Sequence, residues 1–328
     1  MTKKFKQSKK NKISFGETFA IVSSVFLFVL LLKNAPLVNA ESIDALKRCA
    51  TLLIPSLFPL TVASELITAS GALEKITSSL QGIVSKALGI KKSAAAPYFL
   101  GIFGGYTSSC KSTVTLFDKG QISAEDCESV IAISNMPSLS FLTGFVGMNI
   151  LKNTTDGWIL WAITVFSTFI LGIFNRFFTK SDNGFFIHSS ESTIAGKRKK
   201  LSKMIVEAIV HSAQAMLVIC ACVVFFSVLI KVLELTLIAL AVPLEIRRFV
   251  LGSLEITYGI TSCNKIENEL IKRVLCAFFI GWSGLCVHFQ VISLCERVNF
   301  SFKKYFLLKF LQGIICAFLT FIIFRFKF

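Results

Sequence analysis

Several runs of this chain are long and apolar enough to cross a bilayer, and at four places apolar sequence breaks where Gly or Pro sits beside small hydroxyl residues. In the first half these are Phe99-Leu-Gly-Ile-Phe-Gly-Gly-Tyr-Thr-Ser-Ser-Cys110 and, after a polar helical segment, Ser134-Asn-Met-Pro-Ser138. In the second half they are Leu251-Gly-Ser-Leu-Glu-Ile-Thr-Tyr-Gly259 and, after another polar segment, Gly281-Trp-Ser-Gly284. A simple membrane anchor has no use for such breaks. Non-helical backbone at membrane depth is tolerated only where protein or a water-filled cavity surrounds it. Paired interruptions in corresponding positions of two halves point to a transporter binding site.

Composition sets the solvent. Hydrophobic residues make up 54% of the chain and charged residues only 16%, with a mean hydropathy of +0.70. A helix needs about 20 apolar residues to span a bilayer. Windows of that character lie near 15–32, 50–72, 138–151 with its flanks, 158–178, 205–230, 270–296 and 304–324. The expected fold is an all-α polytopic membrane protein: an inverted-repeat, transporter-like bundle with re-entrant and broken helices.

The net charge of +16 is gathered in two places. Lys3, Lys4, Lys6, Lys9, Lys10 and Lys12 precede the first window, and Arg176, Lys180, Lys197, Arg198, Lys199, Lys200 and Lys203 fill the longest polar loop. Basic loops beside spans mark cytoplasmic segments. Apart from Phe5 between Lys4 and Lys6, aromatic residues do not alternate with these lysines as a base-stacking platform requires, so nucleic acid is not an expected partner. The expected partners are the lipid bilayer and a small anionic substrate. Ten cysteines contain no C-x-x-C pair, and no His stands at ligand spacing, so neither metal nor a disulfide framework is expected.

Four regions follow: a basic N-terminus with a first span over 1–44, a first repeat over 45–178, a basic cytoplasmic loop over 179–204 and a second repeat over 205–328. Val38-Asn39-Ala40 before Glu41 resembles a signal cleavage site, although an uncleaved first span explains the same residues and is preferred. Pro55 and Pro59 kink the span over 50–72. Residues 73–92 space Leu73, Ile76, Leu80, Ile83, Val84 and Leu88 as a helix along the membrane interface does. Ala94–Ser109 enters the membrane without crossing. Gly120 ends one helix, and Ser123 with Asp126 three residues on starts the next. Counted from a cytoplasmic N-terminus, one repeat begins outside and the other inside, which inverts them relative to each other.

Where a helix begins at mid-membrane, its first N–H groups lack partners and its dipole presents positive charge, a setting for anions. The expected starts are Thr107-Ser108-Ser109, Ser134-Asn135 ahead of Pro137, and Ser283 ahead of Leu285; Lys111 adds a full charge one turn beyond Gly104-Gly105. The alternative is that these small residues merely let helices pack closely. Ionisable residues at depth are Glu65, Glu255 and His288, with Glu207 and His211 nearer an edge. Glu255 and His288 are candidates for proton or cation coupling, or equally for buried interhelical hydrogen bonds; the coupling ion, H+ or Na+, stays open, and no cofactor is expected. The sequence carries no G-x-S-x-G, H-E-x-x-H or Walker motif, so neither an enzyme nor an ATP-driven pump is expected.

Taken in order, Ile54-Pro-Ser-Leu-Phe-Pro59, Ser64-Glu-Leu-Ile67, Gly104-Gly-Tyr106, Lys119-Gly-Gln-Ile-Ser123, Ser134–Ser138, Leu254-Glu-Ile-Thr257 and Gly281-Trp-Ser-Gly-Leu-Cys-Val-His-Phe-Gln290 resemble the YlbJ/SpoVV sporulation integral membrane proteins, which carry a nucleoside-recognition (Gate) domain. The resemblance covers roughly residues 45–325. It implies a plan similar to concentrative nucleoside transporters and a role in moving dipicolinic acid in spore formers. It also implies a bacterial cell membrane location, with the outer forespore membrane a candidate. The substrate-lining set it implies is Gly104, Gly105, Tyr106, Asn135, Glu255, Thr257, Gly281, Ser283, His288 and Gln290; Thr107, Ser108, Ser109, Lys111 and Ser138 join it from the breaks themselves. Where the family has Pro after Gly-Tyr this chain has Thr107, and where it has Gly-Ala-Lys this chain has Ser109-Cys110-Lys111. A nucleoside carrier and a non-transporting scaffold of spore assembly are the competing expectations.

Overall fold

The computed structural model describes residues 15–178, 201–298 and 301–327. The lysines of 3–12 and the basic residues 180–200 lie outside the described residues. Every regular element among those described is helical.

The first half begins with α1 (Phe15–Lys33), then α2 (Ala35–Arg48), a π-helical turn (Cys49–Leu53) and α3 (Ile54–Ala69). The last three join into a single 35-residue stretch, so the span expected over 50–72 begins at Ala35 instead. Val38–Ala40 accordingly lie inside α2. The π turn has a local cause. Pro55 has no N–H, and its ring would clash with the Thr51 carbonyl of a regular helix; widening the preceding turn removes both conflicts.

Next come α4 (Ala72–Leu88), α5 (Ala95–Gly104), α6 (Tyr106–Asp118), α7 (Ala124–Ser134), a π-helical segment (Phe141–Ile150) and α8 (Thr154–Phe178). The apolar stripe expected on 73–92 divides in two. Val84 and Leu88 pack inward, whereas Ile76, Leu80 and Ile83 stay exposed on the outer surface. The α6–α7 junction forms as the sequence predicts. Gly120 adopts φ +69°, the Ser123 hydroxyl accepts from the Asp126 N–H at 3.1 Å, and the Asp126 carboxylate accepts from the Ser123 N–H at 3.1 Å.

The second half runs through α9 (Leu201–Ala239), α10 (Leu244–Gly252), α11 (Ile256–Ser262), α12 (Glu269–Trp282), α13 (Gly284–Leu294) and α14 (Phe302–Lys327). Five stretches are long and apolar enough to cross a membrane: Ala35–Ala69, Thr154–Asn175, Leu201–Ala239, Glu269–Leu294 and Phe302–Phe326. Of the other expected windows, Thr18–Lys33 and Phe141–Ile150 form shorter apolar helices. At 1.5 Å per residue, α5 is about 15 Å long, half of a ~30 Å hydrocarbon core. It cannot cross alone.

The two halves share one core. The Ala35–Ala69 stretch packs along α9, and α12 forms its most extensive interface with α14, which also meets α8 and α7. Two ion pairs bind elements distant in sequence. Asp156, fully buried at the start of α8, accepts from Arg273 of α12 at 2.7 Å, and Glu128 of α7 accepts from the Ser301 N–H at 3.1 Å and faces Lys304 at 3.7 Å. Large apolar side chains cover the outside instead: Phe26, Leu217, Leu307 and Phe318 are each more than 60% exposed. In water that surface would aggregate; in lipid it is the expected contact layer.

Candidate functional site

All four predicted interruptions are real breaks in helix. Gly105 separates α5 from α6 at φ +82°, a conformation closed to side chains, and a Cβ there would meet the Ser138 backbone N at 3.1 Å. Ser138 belongs to the second break, the non-helical run 135–138 that follows α7. The second half repeats the arrangement. Residues 253–255 interrupt α10 and α11, while Ser283 (φ +71°) and Gly284 (φ +81°) interrupt α12 and α13. A Cβ on Gly284 would stand 2.9 Å from the Ile256 N. In each half, then, the two breaks lie against each other through a left-handed glycine.

The breaks from both halves open onto one cavity of about 630 Å³. Its wall includes Gly104, Gly105, Tyr106, Thr107, Ser108 and Lys111 from the α5–α6 break, and Ser138 from the next. Glu255, Thr257, Ser283 and Gln290 supply the second half. Tyr106 donates its hydroxyl proton to Gln290 Oε1 at 2.6 Å, a direct bond between the halves. Glu65, His211 and Gln214 add polar groups, and Leu57, Leu100, Phe141, Met216 and Val287 add apolar wall. A mostly apolar wall with a few polar groups is the lining of a small-molecule pocket.

Four expected residues stand elsewhere. Ser109 is fully buried and hydrogen-bonded to Ser134 at 2.5 Å. Asn135 is fully buried and donates to the Tyr305 hydroxyl, which also meets His288 Nδ1 at 3.0 Å. Gly281 packs against α14, where a Cβ would meet the Gln312 carbonyl oxygen and Gly313 Cα, each at 2.8 Å. These four stabilise the wall from behind.

The expected open helix starts need correcting. Glu255 caps α11 with its own carboxylate, accepting from the Thr257 N–H at 2.9 Å, the Tyr258 N–H at 2.7 Å and the Thr257 hydroxyl. The α13 start is closed by backbone: Leu285 and Cys286 donate to the carbonyls of Ser253 and Leu254 at 3.1 and 2.9 Å. Ser138 caps the helical run after the second break, its hydroxyl accepting from the Phe141 N–H at 3.2 Å. At the α6 start the N-cap is Gly105 and no side chain caps the helix, and Lys111 lines the cavity one turn on. Positive potential at the site is therefore concentrated on the α6 side.

Sequence reasoning passed over Lys309. It lies in α14 with no solvent exposure and donates to the Asn135 carbonyl oxygen and to Gln312 Oε1. Gln312 in turn donates to Ser167 Oγ of α8 at 3.1 Å. A lysine four residues into a strongly apolar run was the available signal, because a charge at that depth is costly and functional by default. Asp156 and Arg273 were missed for a different reason, since each looks like an ordinary helix-end charge until the fold joins them.

These features define the class: a multi-pass, all-α integral membrane protein with a cavity built from interrupted helices. Along 90% of its length the chain is 22% identical to the sporulation integral membrane protein YlbJ of Bacillus subtilis, over 329 aligned positions and 80% of that protein. The chain is thus similar to that protein over most of both lengths. No family model matches the chain, and no solved structure matches it.

Proposed function

We propose that the protein is a secondary transporter that moves a small organic anion across a membrane during spore formation, with dipicolinic acid as the candidate substrate and the outer forespore membrane as the candidate site. One observation carries the reading: four helix breaks, two from each half, converge on a single cavity of about 630 Å³. That volume lies within the roughly 300–1,000 Å³ of small-molecule sites. The helices around the breaks are short rigid pieces joined by one to four non-helical residues, which is what alternating access about a fixed site requires. In this reading α5 with α6, and α10 with α11, enter the membrane and turn back, the halves being inverted copies. Lys111 and the α6 start take one carboxylate; the Tyr106–Gln290 pair orients the ring. The relative's printed role in sporulation supports the setting.

Dipicolinate uptake into proteoliposomes loaded with terbium, read as sensitised luminescence, tests this. Saturable uptake is expected, and Lys111→Gln should raise the half-saturating concentration about tenfold, or ~1.4 kcal/mol. Nucleoside uptake that dipicolinate does not compete would transfer the site to the nucleoside reading. Absence of any saturable uptake, together with normal sporulation in a Ser108→Phe strain whose cavity is blocked, would establish the scaffold reading instead. Gly281→Val cannot serve as that probe, because it strikes α14 rather than the cavity.

A further inference from the structure

Lys309 places an ionisable amine at zero exposure inside a helix long enough to span the membrane. Its acceptors are neutral: the Asn135 carbonyl and the Gln312 side chain. Among the described residues no carboxylate forms an ion pair with it. A buried ammonium so held is costly, and lysine, unlike arginine, can give up its proton there.

Its position is informative as well. Asn135 is the residue that ends α7, so the ammonium stands at the negative end of that helix dipole. Two residues on, Pro137 and Ser138 form part of the cavity wall, and Ser138 packs on Gly105 at the start of α6. A change of charge at Lys309 therefore reaches the cavity through three residues of non-helical chain. The titratable groups facing it are Tyr305 and Cys316 on its own helix, Cys110 on α6 and, through Tyr305, His288 on α13.

Building on the carrier reading above, we propose that Lys309 is the coupling-ion site and that the ion is a proton. Protonated, Nζ holds the broken end of α7 and the cavity wall with it. When Nζ releases its proton to water on one side of the membrane, the charge–dipole hold is lost and the 135–138 segment is free to shift. Nζ takes a proton from water on the other side to complete the cycle. No other bond is made or broken.

The test uses the full protein in terbium-loaded liposomes with dipicolinate as probe. Wild type should accumulate dipicolinate under an imposed proton gradient and not under a sodium gradient. Lys309→Arg, which keeps the charge but cannot be deprotonated, should retain saturable dipicolinate exchange while the ratio of gradient-driven uptake to exchange falls about tenfold or more. Lys309→Gln, folded by size-exclusion chromatography, should show the same lost ratio. A merely structural charge predicts rescue by arginine, so gradient-driven uptake in Lys309→Arg would overturn the proposal. Sodium-driven uptake in wild type would overturn it and leave the carrier standing. Absence of both uptake and exchange in wild type would remove the carrier reading and this one together.

Discussion

Replacing Glu255 by Gln tests whether the second half's break is held by a carboxylate or merely tolerates one. Glu255 is 2% exposed, so water cannot take over its bonds. Its two oxygens accept from the Thr257 and Tyr258 N–H groups and the Thr257 hydroxyl. Gln keeps one acceptor and turns the other oxygen into an N–H donor aimed at donors. A hydrogen bond to a charged group contributes about 1.5–3 kcal/mol net, and a buried donor left unmet costs about 1–3 kcal/mol, so a loss of about 2–4 kcal/mol is expected. Glu255→Asp should stay within about 1 kcal/mol, because Asp is the better N-cap residue and reaches the same two N–H groups. Unfolding by SDS in mixed micelles measures both. Trp282 is a local reporter, since its Nε1 donates to the Ser253 carbonyl at 2.9 Å inside the same break. A loss below about 0.5 kcal/mol for Glu255→Gln would place it among neutral surface changes and refute the capping argument.

Asp156→Asn should destabilise the protein by about 1.5–3 kcal/mol in the same titration, because it removes the charge-assisted bond from Arg273 to the fully buried Asp156 while Arg273 keeps Glu269. Ser123→Ala removes half of the capping box and should cost about 1 kcal/mol, with no change in dipicolinate uptake. Gly281→Val should abolish monodisperse protein on size exclusion, whereas Ser301→Ala, which leaves the Ser301 N–H bond to Glu128 in place, should not. Tyr106→Phe deletes the direct bond between halves and should cost about 1 kcal/mol of stability while weakening dipicolinate uptake.

The features legible in the chain are those whose cause is local. Apolar length announced the membrane class, and Gly105, Pro137, Ser253 and Ser283 marked the breaks, since a helix fails within a few residues of whatever stops it. The Gly120 stop and the Ser123–Asp126 box were readable for the same reason. What fills a helix end is not local in that sense. Glu is not a favoured N-cap residue, so the closure of α11 by Glu255 could not be read from type, and the closure of α13 comes from carbonyls some thirty residues earlier in the chain.

Tertiary structure alone decided which polar residues face the cavity and which brace it. Lys309 and Asn135 lie 174 positions apart, Tyr106 and Gln290 184, Asp156 and Arg273 117. Nothing within a helical turn of any of them specifies its partner. Sequence by itself determined a lipid-dissolved chain with four weak points in its helices. Packing α12 on α14, and the Ala35–Ala69 stretch on α9, determined that those weak points meet, because a buried polar group takes whichever partner the closing core delivers to it.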